Sequence, residues 1–315
     1  MTAPPGLLRA AAERLRAAGI ENPRLEARLL WEHASQISLS PTGGEGRGEG
    51  VSPLAHNPSS PPHPNPLPPR GRGNTDEIFK SLLSRRLARE PLAYITGTKE
   101  FWSLEFAVGP GVLIPRPETE LTIEAALETF PDKQAPLAAL DLGTGSGAIL
   151  IAFLREFPKA RGLGIDASGE ALIWARANAA RLGVESRCCF QRGNWAEGLA
   201  GPFDAIFANP PYIDAGDMAR LAPEVGRFEP HLALSGGADG LDAYRALALQ
   251  IPPLLAFSGR AFVEMGLGLA PSVADLFRAQ GLEIGPIRPD LSGIPRCLEL
   301  RLPPQKNVGM RGARS

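Results

Sequence analysis

The sequence predicts an α/β chain in which a mostly parallel sheet, with helices on both faces, follows a small helical region and a β-hairpin linker. Three observations carry that prediction. From about residue 118, short apolar strand-like runs alternate with segments of helical period. Residues 5–35 and 76–89 repeat apolar side chains at helical spacing. Between these regions, "PLAYITGTKEFWSLEFAVGPGVLIPRPETE" shows short β-like alternations broken by Gly and Pro turns.

At the amino end, Leu7, Leu8, Ala11, Leu15 and Ala18 form one apolar stripe and Leu25, Leu29 and Leu30 a second. Two helices are expected, the first closed by Gly19 and the second opened by Asn22-Pro23. Residues 41–74 are nearly half Pro plus Gly, carry few large apolar side chains, and cannot bury enough surface to offset their ordering entropy. A disordered insertion over about 39–74 is expected, with a proline-recognition ligand as the alternative. Helical period returns through Ile78, Leu82, Leu83 and Leu87. The expected divisions are a helical domain (1–90), a hairpin linker (91–117), an α/β domain (118–304) and a flexible tail (305–315).

Within the α/β part, "LAALDL" precedes a helix from Ala148 and "GLGI" a helix from Ser168. The runs "CCFQ", "FDAIFA" and "RAFVEM" are further strands, and helices are expected near 243–251 and 273–279. Two last apolar runs, 282–287 and 297–302, can close one edge as a hairpin.

The 33 Lys and Arg against 34 Asp and Glu leave a formal charge of −1, with no cationic excess to neutralise a phosphate backbone. Direct nucleic-acid binding is therefore not expected. Cys188, Cys189 and Cys297 are odd in number and form no CxxC pair, which argues against a disulfide framework or a structural zinc; all three are expected as buried thiols. The start "MTAPPGLLRAAAERLRAAGI" has no long apolar run, and no later window reaches membrane-span length, so a cytoplasmic protein without a membrane partner is expected.

"LDLGTGSGAI" (140–149) ends a strand on Asp141 and places Gly143, Gly145 and Gly147 in the turn that opens a helix. Glycines there permit backbone angles that a β-carbon forbids and let the backbone approach a ligand. Asp166 ends the next strand, where a carboxylate can accept both hydroxyls of a ribose. The spacing differs from the GxGxxG of dinucleotide enzymes and is similar to the DxGxGxG of S-adenosylmethionine-dependent methyltransferases, whose cofactor has no pyrophosphate for Asp141 to repel. After the third strand, Trp195 offers a flat face for an adenine and the Asn194 amide oxygen can accept from its amine, where such enzymes often carry an acid. Cofactor contacts are thus expected at Asp141, Gly143, Thr144, Gly145, Ser146, Gly147, Asp166, Asn194, Trp195 and Asn209.

"FANPPYID" (207–214) ends the fourth strand, on the edge where open parallel sheets bind ligands. Pro210 and Pro211 have no N–H, and Pro210 keeps Asn209 out of the helical region, so the loop presents acceptors with few competing donors. A planar amine or amide delocalises its lone pair. It becomes a nucleophile when the Asn209 oxygen and Pro210 carbonyl hold its two hydrogens and aim the lone pair at a methyl carbon. Tyr212 can pack against the planar group. The catalytic candidates are Asn209, Pro210 and Tyr212; Asn209, Pro210, Pro211, Tyr212 and Phe101 are candidates for substrate contact, with core packing the equal alternative for Phe101. Adenine or guanine amines in nucleic acid and the glutamine amide of a protein all satisfy this chemistry.

The stretch "PLAYITGTKEFWSLEFAVGPGVLIPRPETE", with "LIPRPETE" (113–120) its most specific part, resembles the HemK-type protein-(glutamine) methyltransferases; so do "RFEPHLALSGGADGLDAYR" and "DLSGIPRCLELRL". The resemblance implies a Rossmann-like, seven-stranded class I methyltransferase domain after a helical bundle and hairpin linker. It further implies S-adenosyl-L-methionine as cofactor and, as substrate, the glutamine of the Gly-Gly-Gln loop of peptide chain release factors, docked in part on the helical domain. A monomer is expected. The alternatives are a ribosomal-protein glutamine, a nucleic-acid amine, or an activity impaired by the insertion. Arg116 and Glu118 are expected either to form an ion pair that fixes the linker against the core or to shape the substrate cleft.

Overall fold

The computed structural model describes residues 4–39 and 74–304. The expected insertion and tail therefore fall outside the described residues, apart from the insertion's flanks.

The amino-terminal helices are α1 (Pro5–Ala17), α2 (Pro23–Leu39) and α3 (Thr75–Leu87). Gly19 takes φ +77°, and the reversal it permits lets Ile20 N–H donate to the Leu15 carbonyl at 3.0 Å, closing α1. Leu15, Leu30, Trp31, Phe79, Leu82 and Leu83 form a core of their own, with Trp31 edge-on to Phe79 at 5.5 Å. The expected stripe on α2 is corrected. Ala27, Leu30, Trp31 and Ala34 face inward, and Leu25 is 47% exposed because it lies roughly 200° round the helix from Ala27.

The linker contains a short helix, α4 (Leu92–Thr96), that the β-like alternation did not suggest, and then the hairpin of β1 (Thr98–Phe101) and β2 (Leu104–Ala107). Next come α5 (Glu120–Thr129), also not foreseen, β3 (Ala138–Leu142), α6 (Ala148–Glu156), β4 (Arg161–Asp166), α7 (Gly169–Arg181) and β5 (Cys188–Arg192). The chain continues through β6 (Phe203–Ala208), α8 (Pro223–Phe228), α9 (Asp242–Gln250), β7 (Leu255–Glu264), α10 (Ala270–Ala279), β8 (Glu283–Pro289) and β9 (Pro295–Arg301).

Seven of these strands form one sheet in the order β5-β4-β3-β6-β7-β9-β8. The first five are parallel; β9 runs antiparallel to both β7 and β8, so the last hairpin closes one edge as the sequence suggested. Strand alternation sorts the core. Ala139, Ala205, Phe207 and Phe262 face α5, α6 and α7, while Leu140, Leu142, Ile206, Ala208 and Val263 face α9 and α10. Phe207 bridges Phe153 at 5.1 Å and Phe262 at 5.4 Å, locking α6 onto β6 and β7.

The expectation of three buried thiols holds for Cys297 alone. Cys188 is half-buried and Cys189 exposed, because β5 is the outermost strand and no residue in it is fully buried.

The hairpin packs into the core on the α5–α7 face through Phe101, Phe106 and Val108. Asn178 of α7 clamps it: its Oδ1 accepts from Ala107 N–H at 2.7 Å, and its Nδ2 donates to the carbonyls of Ala107 and Ser146. The helical domain joins the sheet domain through charge. Arg86 pairs with Glu26 at 2.5 Å and Glu224 at 3.0 Å, and Arg89 with Glu224 at 2.7 Å. Glu224 lies on α8, in the segment that follows the double proline.

Candidate active site

Reading outward from β3, the chain builds β4 and β5 on one side and then returns to place β6 on the other. The switch point of the sheet therefore lies between β3 and β6. Leu142 pairs with Ala208 there, so the residues that follow, Gly143 and Asn209, emerge side by side at the carboxyl edge.

Three left-handed glycines shape the β3–α6 turn: Gly143 at φ +77°, Gly145 at +55° and Gly147 at +80°. A β-carbon on Gly143 would sit 3.2 Å from the Trp195 ring, and one on Gly147 would sit 2.9 Å from Ile151. The turn is tied to β4 through the Ile165 carbonyl, which accepts from Gly143 and Thr144 N–H at 2.9 Å each. Asp166 Oδ2 accepts from Gly145 N–H and its Oδ1 from Ser168 N–H, both at 2.8 Å. Each oxygen keeps a lone pair for a ligand hydroxyl. Burial raises the Asp166 carboxyl, against these backbone N–H groups.

Asp141 is fully buried. Its Oδ2 accepts from the Thr144 hydroxyl at 2.7 Å, while Oδ1 has no partner among the described residues. Burial pushes its carboxyl up to about 7, opposed by the Thr144 bond. Trp195 holds a left-handed φ of +53°, and Asn194 donates to Glu197 at 3.3 Å.

Gly143, Thr144, Gly145, Ser146, Asp166, Asn194 and Trp195 line a cavity of about 400 Å³ that reaches from Ser168 past Gly143 to Asn209 and Pro211; Asp141 and Gly147, expected as cofactor contacts, do not line it, Asp141 being fully buried beneath the turn it braces. A second cavity of about 220 Å³ is walled by Pro210, Tyr212, Ile213, Leu221, Val225 and Leu234. Leu113, Arg116, Asn209 and Ala233 line both and form the partition between them. Both peptide bonds of Asn209-Pro210-Pro211 are trans. Tyr212 is pushed up by burial and the nearby Glu264 charge, and its ring lies close over Gly266.

One candidate from the sequence is placed elsewhere. Phe101 lines neither cavity: it is 1% exposed and packs edge-on to Phe106 at 6.1 Å, because the hairpin turns its apolar face into the core. Arg116 pairs with the buried Glu229 at 2.5 Å and not with Glu118, and the other Glu229 oxygen accepts from Ile114 N–H at 3.1 Å. His231 is exposed, 3.0 Å from the Gly226 carbonyl, and lines neither cavity.

The sequence reading missed Thr119 and Glu264. Asn209 Nδ2 donates to Thr119 Oγ1 at 3.0 Å, and the Thr119 hydroxyl donates to Glu264 Oε2 at 2.6 Å. Thr119 stands inside "RPETE" and Glu264 ends a strand. The only available signal was a charged residue closing an otherwise apolar run. Among the described residues no cluster of His, Cys, Asp or Glu is arranged to hold a metal ion, and no helix is long and apolar enough to cross a membrane.

A seven-stranded sheet of this order, with a glycine turn and an acidic strand end at its switch point, defines a class I methyltransferase domain. A family model described as a methyltransferase domain matches residues 133–229, and one described as the PrmC N-terminal domain matches 6–41. The catalytic domain of hMettl16 shares the fold at a TM-score of 0.53, with 16% identity over 69% of this chain and 82% of that one. The release factor glutamine methyltransferase of Rhodospirillum rubrum is 44% identical over 94% of this chain and 84% of its own length. That of Cereibacter sphaeroides is 43% identical over 94% and 97%. The chain belongs to the release factor glutamine methyltransferase family.

Proposed function

We propose that this enzyme transfers the methyl group of S-adenosyl-L-methionine to the side-chain amide nitrogen of the Gly-Gly-Gln glutamine in peptide chain release factors. The observation that carries the reading is the placement of Asn209 in the partition between two cavities. The larger has the features a nucleoside needs: a turn with glycine at alternate positions, an acidic strand end with spare lone pairs, and an indole face at Trp195. When bound there, the cofactor supplies a methyl group already activated by a sulfonium.

Asp141, Thr144 and Ser146 support the turn, Asp166 takes the ribose hydroxyls, and Asn194 with Trp195 takes the adenine. The smaller cavity is mainly apolar and suits the methylenes of a glutamine side chain. At its inner end the Asn209 oxygen and the Pro210 carbonyl accept the two amide N–H groups, and Tyr212 with Pro211 holds the amide plane. Positioning is the main catalytic contribution, since an amide lone pair attacks only when aimed along the breaking bond. The nitrogen then loses a proton to water, and His231 has no part in this step.

The helical domain contributes to release-factor docking, and the enzyme acts as a cytoplasmic monomer. Incubating the full chain with methyl-labelled S-adenosylmethionine and release factor, its Gln→Ala variant in the Gly-Gly-Gln loop, or duplex DNA tests the reading. Label is expected only in the unmodified release factor; transfer to DNA, or equal labelling of the Gln→Ala variant, sinks it.

A further inference from the structure

An asparagine amide carries two donors on nitrogen and two acceptor lone pairs on oxygen, and its two ends have nearly the same shape. Which end of Asn209 faces the substrate therefore depends on the polarity of what the other end touches. Thr119, at the wall of the larger cavity, is 4% exposed and Glu264, which lines neither cavity, 2%, so both contacts behind Asn209 are largely shielded from bulk water. An ionised carboxylate only accepts, so the single hydroxyl hydrogen of Thr119 goes to Glu264 across 2.6 Å. Toward Asn209, Thr119 Oγ1 then has only lone pairs to offer, and it must receive an N–H. The amide nitrogen is held inward and Oδ1 is turned toward the cavities.

We propose that Thr119 and Glu264 are positioning residues: the carboxylate, three hydrogen bonds from the reacting nitrogen, orients the Thr119 hydroxyl so that the Asn209 amide presents its oxygen to the substrate. The inference rests on the methyl-transfer reading above. Reversing the relay has a chemical consequence. A protonated Glu264 donates to Thr119, Thr119 donates to Asn209, and an N–H then confronts the N–H of the substrate amide.

The groups facing Glu264 are Arg116 from the linker, Glu118 and Thr119 just before α5, Arg296 and Cys297 of β9, Tyr212 after β6 and Tyr244 of α9. Burial raises its carboxyl to about 7, against the Thr119 bond and Arg296. Ionisation, and with it the productive polarity, is accordingly gained as pH rises through that value.

The test compares the full-length wild type with Thr119→Val, Thr119→Ser and Glu264→Gln. It reads single-turnover rate, KM for release factor, cofactor affinity, and the Asn209 side-chain amide resonances of asparagine-labelled protein. Thr119→Val is expected to slow transfer by about 10²-fold with KM and cofactor affinity near wild type. Thr119→Ser, which keeps the hydroxyl, restores most of the rate. The wild-type rate falls as pH drops through about 7, and Glu264→Gln lacks that acidic limb. Thr119→Val turning over like wild type, Glu264→Gln keeping the limb, or Asn209 amide resonances unmoved by Thr119→Val would each overturn the relay. A wild type inactive on release factor overturns the functional reading instead, and the resonances then decide the relay alone.

Discussion

Two loops meet at the switch point of this sheet, and they are held in different ways. The glycine turn after β3 is built from neighbours. Its shape follows from the φ values of Gly143, Gly145 and Gly147, and its outside ties run to Ile165 and Asp166 at the end of the adjacent strand and to Asn178 of α7, which packs against it. The Asn209 loop after β6 is built from a distance. Asn209 leans on Thr119 at the start of α5, which leans on Glu264 of β7, and the segment beyond it is held by Arg116 through Glu229 and by Arg86 and Arg89 through Glu224. A turn made of local backbone preferences tolerates change elsewhere in the molecule, whereas a loop made of long-range contacts reports on the whole fold.

The difference can be broken most sharply at Asn209. Asn209→Ala is expected to lower the transfer rate by about 10²–10³-fold, the scale seen when one preorganised hydrogen-bonding group is removed. Cofactor affinity, measured by calorimetry, should stay close to wild type, because the glycine turn does not depend on that side chain. A variant with full activity would sink the assigned role.

A second break lies at the joint between domains. Glu224→Ala removes the shared partner of Arg86 and Arg89. Thermal unfolding should show a loss of about 1.5–3 kcal/mol, the range for hydrogen bonds to charged groups. Leu221 and Val225, on either side of Glu224, line the smaller cavity. KM for release factor should therefore rise while cofactor affinity does not. Weaker binding of both, a raised KM together with a lowered cofactor affinity, would show that the joint supports the whole sheet edge.

Gly143→Ala makes the converse test. An alanine at φ +77° costs about 1–2 kcal/mol, and its β-carbon would stand 3.2 Å from Trp195. Cofactor affinity should drop about tenfold, with transfer at saturating cofactor little changed. Unchanged affinity would remove the glycine turn from the binding site.

The smallest effect is a slope. In the fold Asp141 and Glu264 take up a proton near pH 7, against 3.8 and 4.5 for the unexposed-to-fold reference groups, because burial penalises their charge. Between those values the native state binds more protons than the unfolded chain, so these two groups make stability fall as pH rises through that window. Asp141→Asn should therefore flatten the pH dependence of the melting temperature of the cofactor-free protein relative to wild type, and an unaltered slope would show that Asp141 is ionised throughout.

Much of this architecture could be read residue by residue. The alternation from "LAALDL" onward located all seven strands of the sheet, and Ser168 opened α7 as its position suggested, its hydroxyl accepting from Ala171 N–H at 3.2 Å. Short or mixed signals misled. α4 has five residues between Pro91 and the left-handed Gly97, too few to show a period, and α5 was hidden behind the turn signals of "PRPETE". Leu25 and Cys189 were assigned to the interior on hydrophobicity alone, though which face of a helix or edge strand is covered depends on its neighbours.

The same division runs through the active site. By itself the sequence determined what acts within a few residues: the glycine turn, the acidic strand end, and the donor-poor Asn209-Pro210-Pro211-Tyr212 loop. Local φ preferences and side-chain chemistry suffice for these. Only the tertiary structure decided that Phe101 belongs to the core, that Arg116 answers Glu229, and that Thr119 and Glu264 stand behind Asn209. Those facts depend on strands far apart in the chain lying side by side, and a contact between distant residues leaves no periodic trace in the segments that make it.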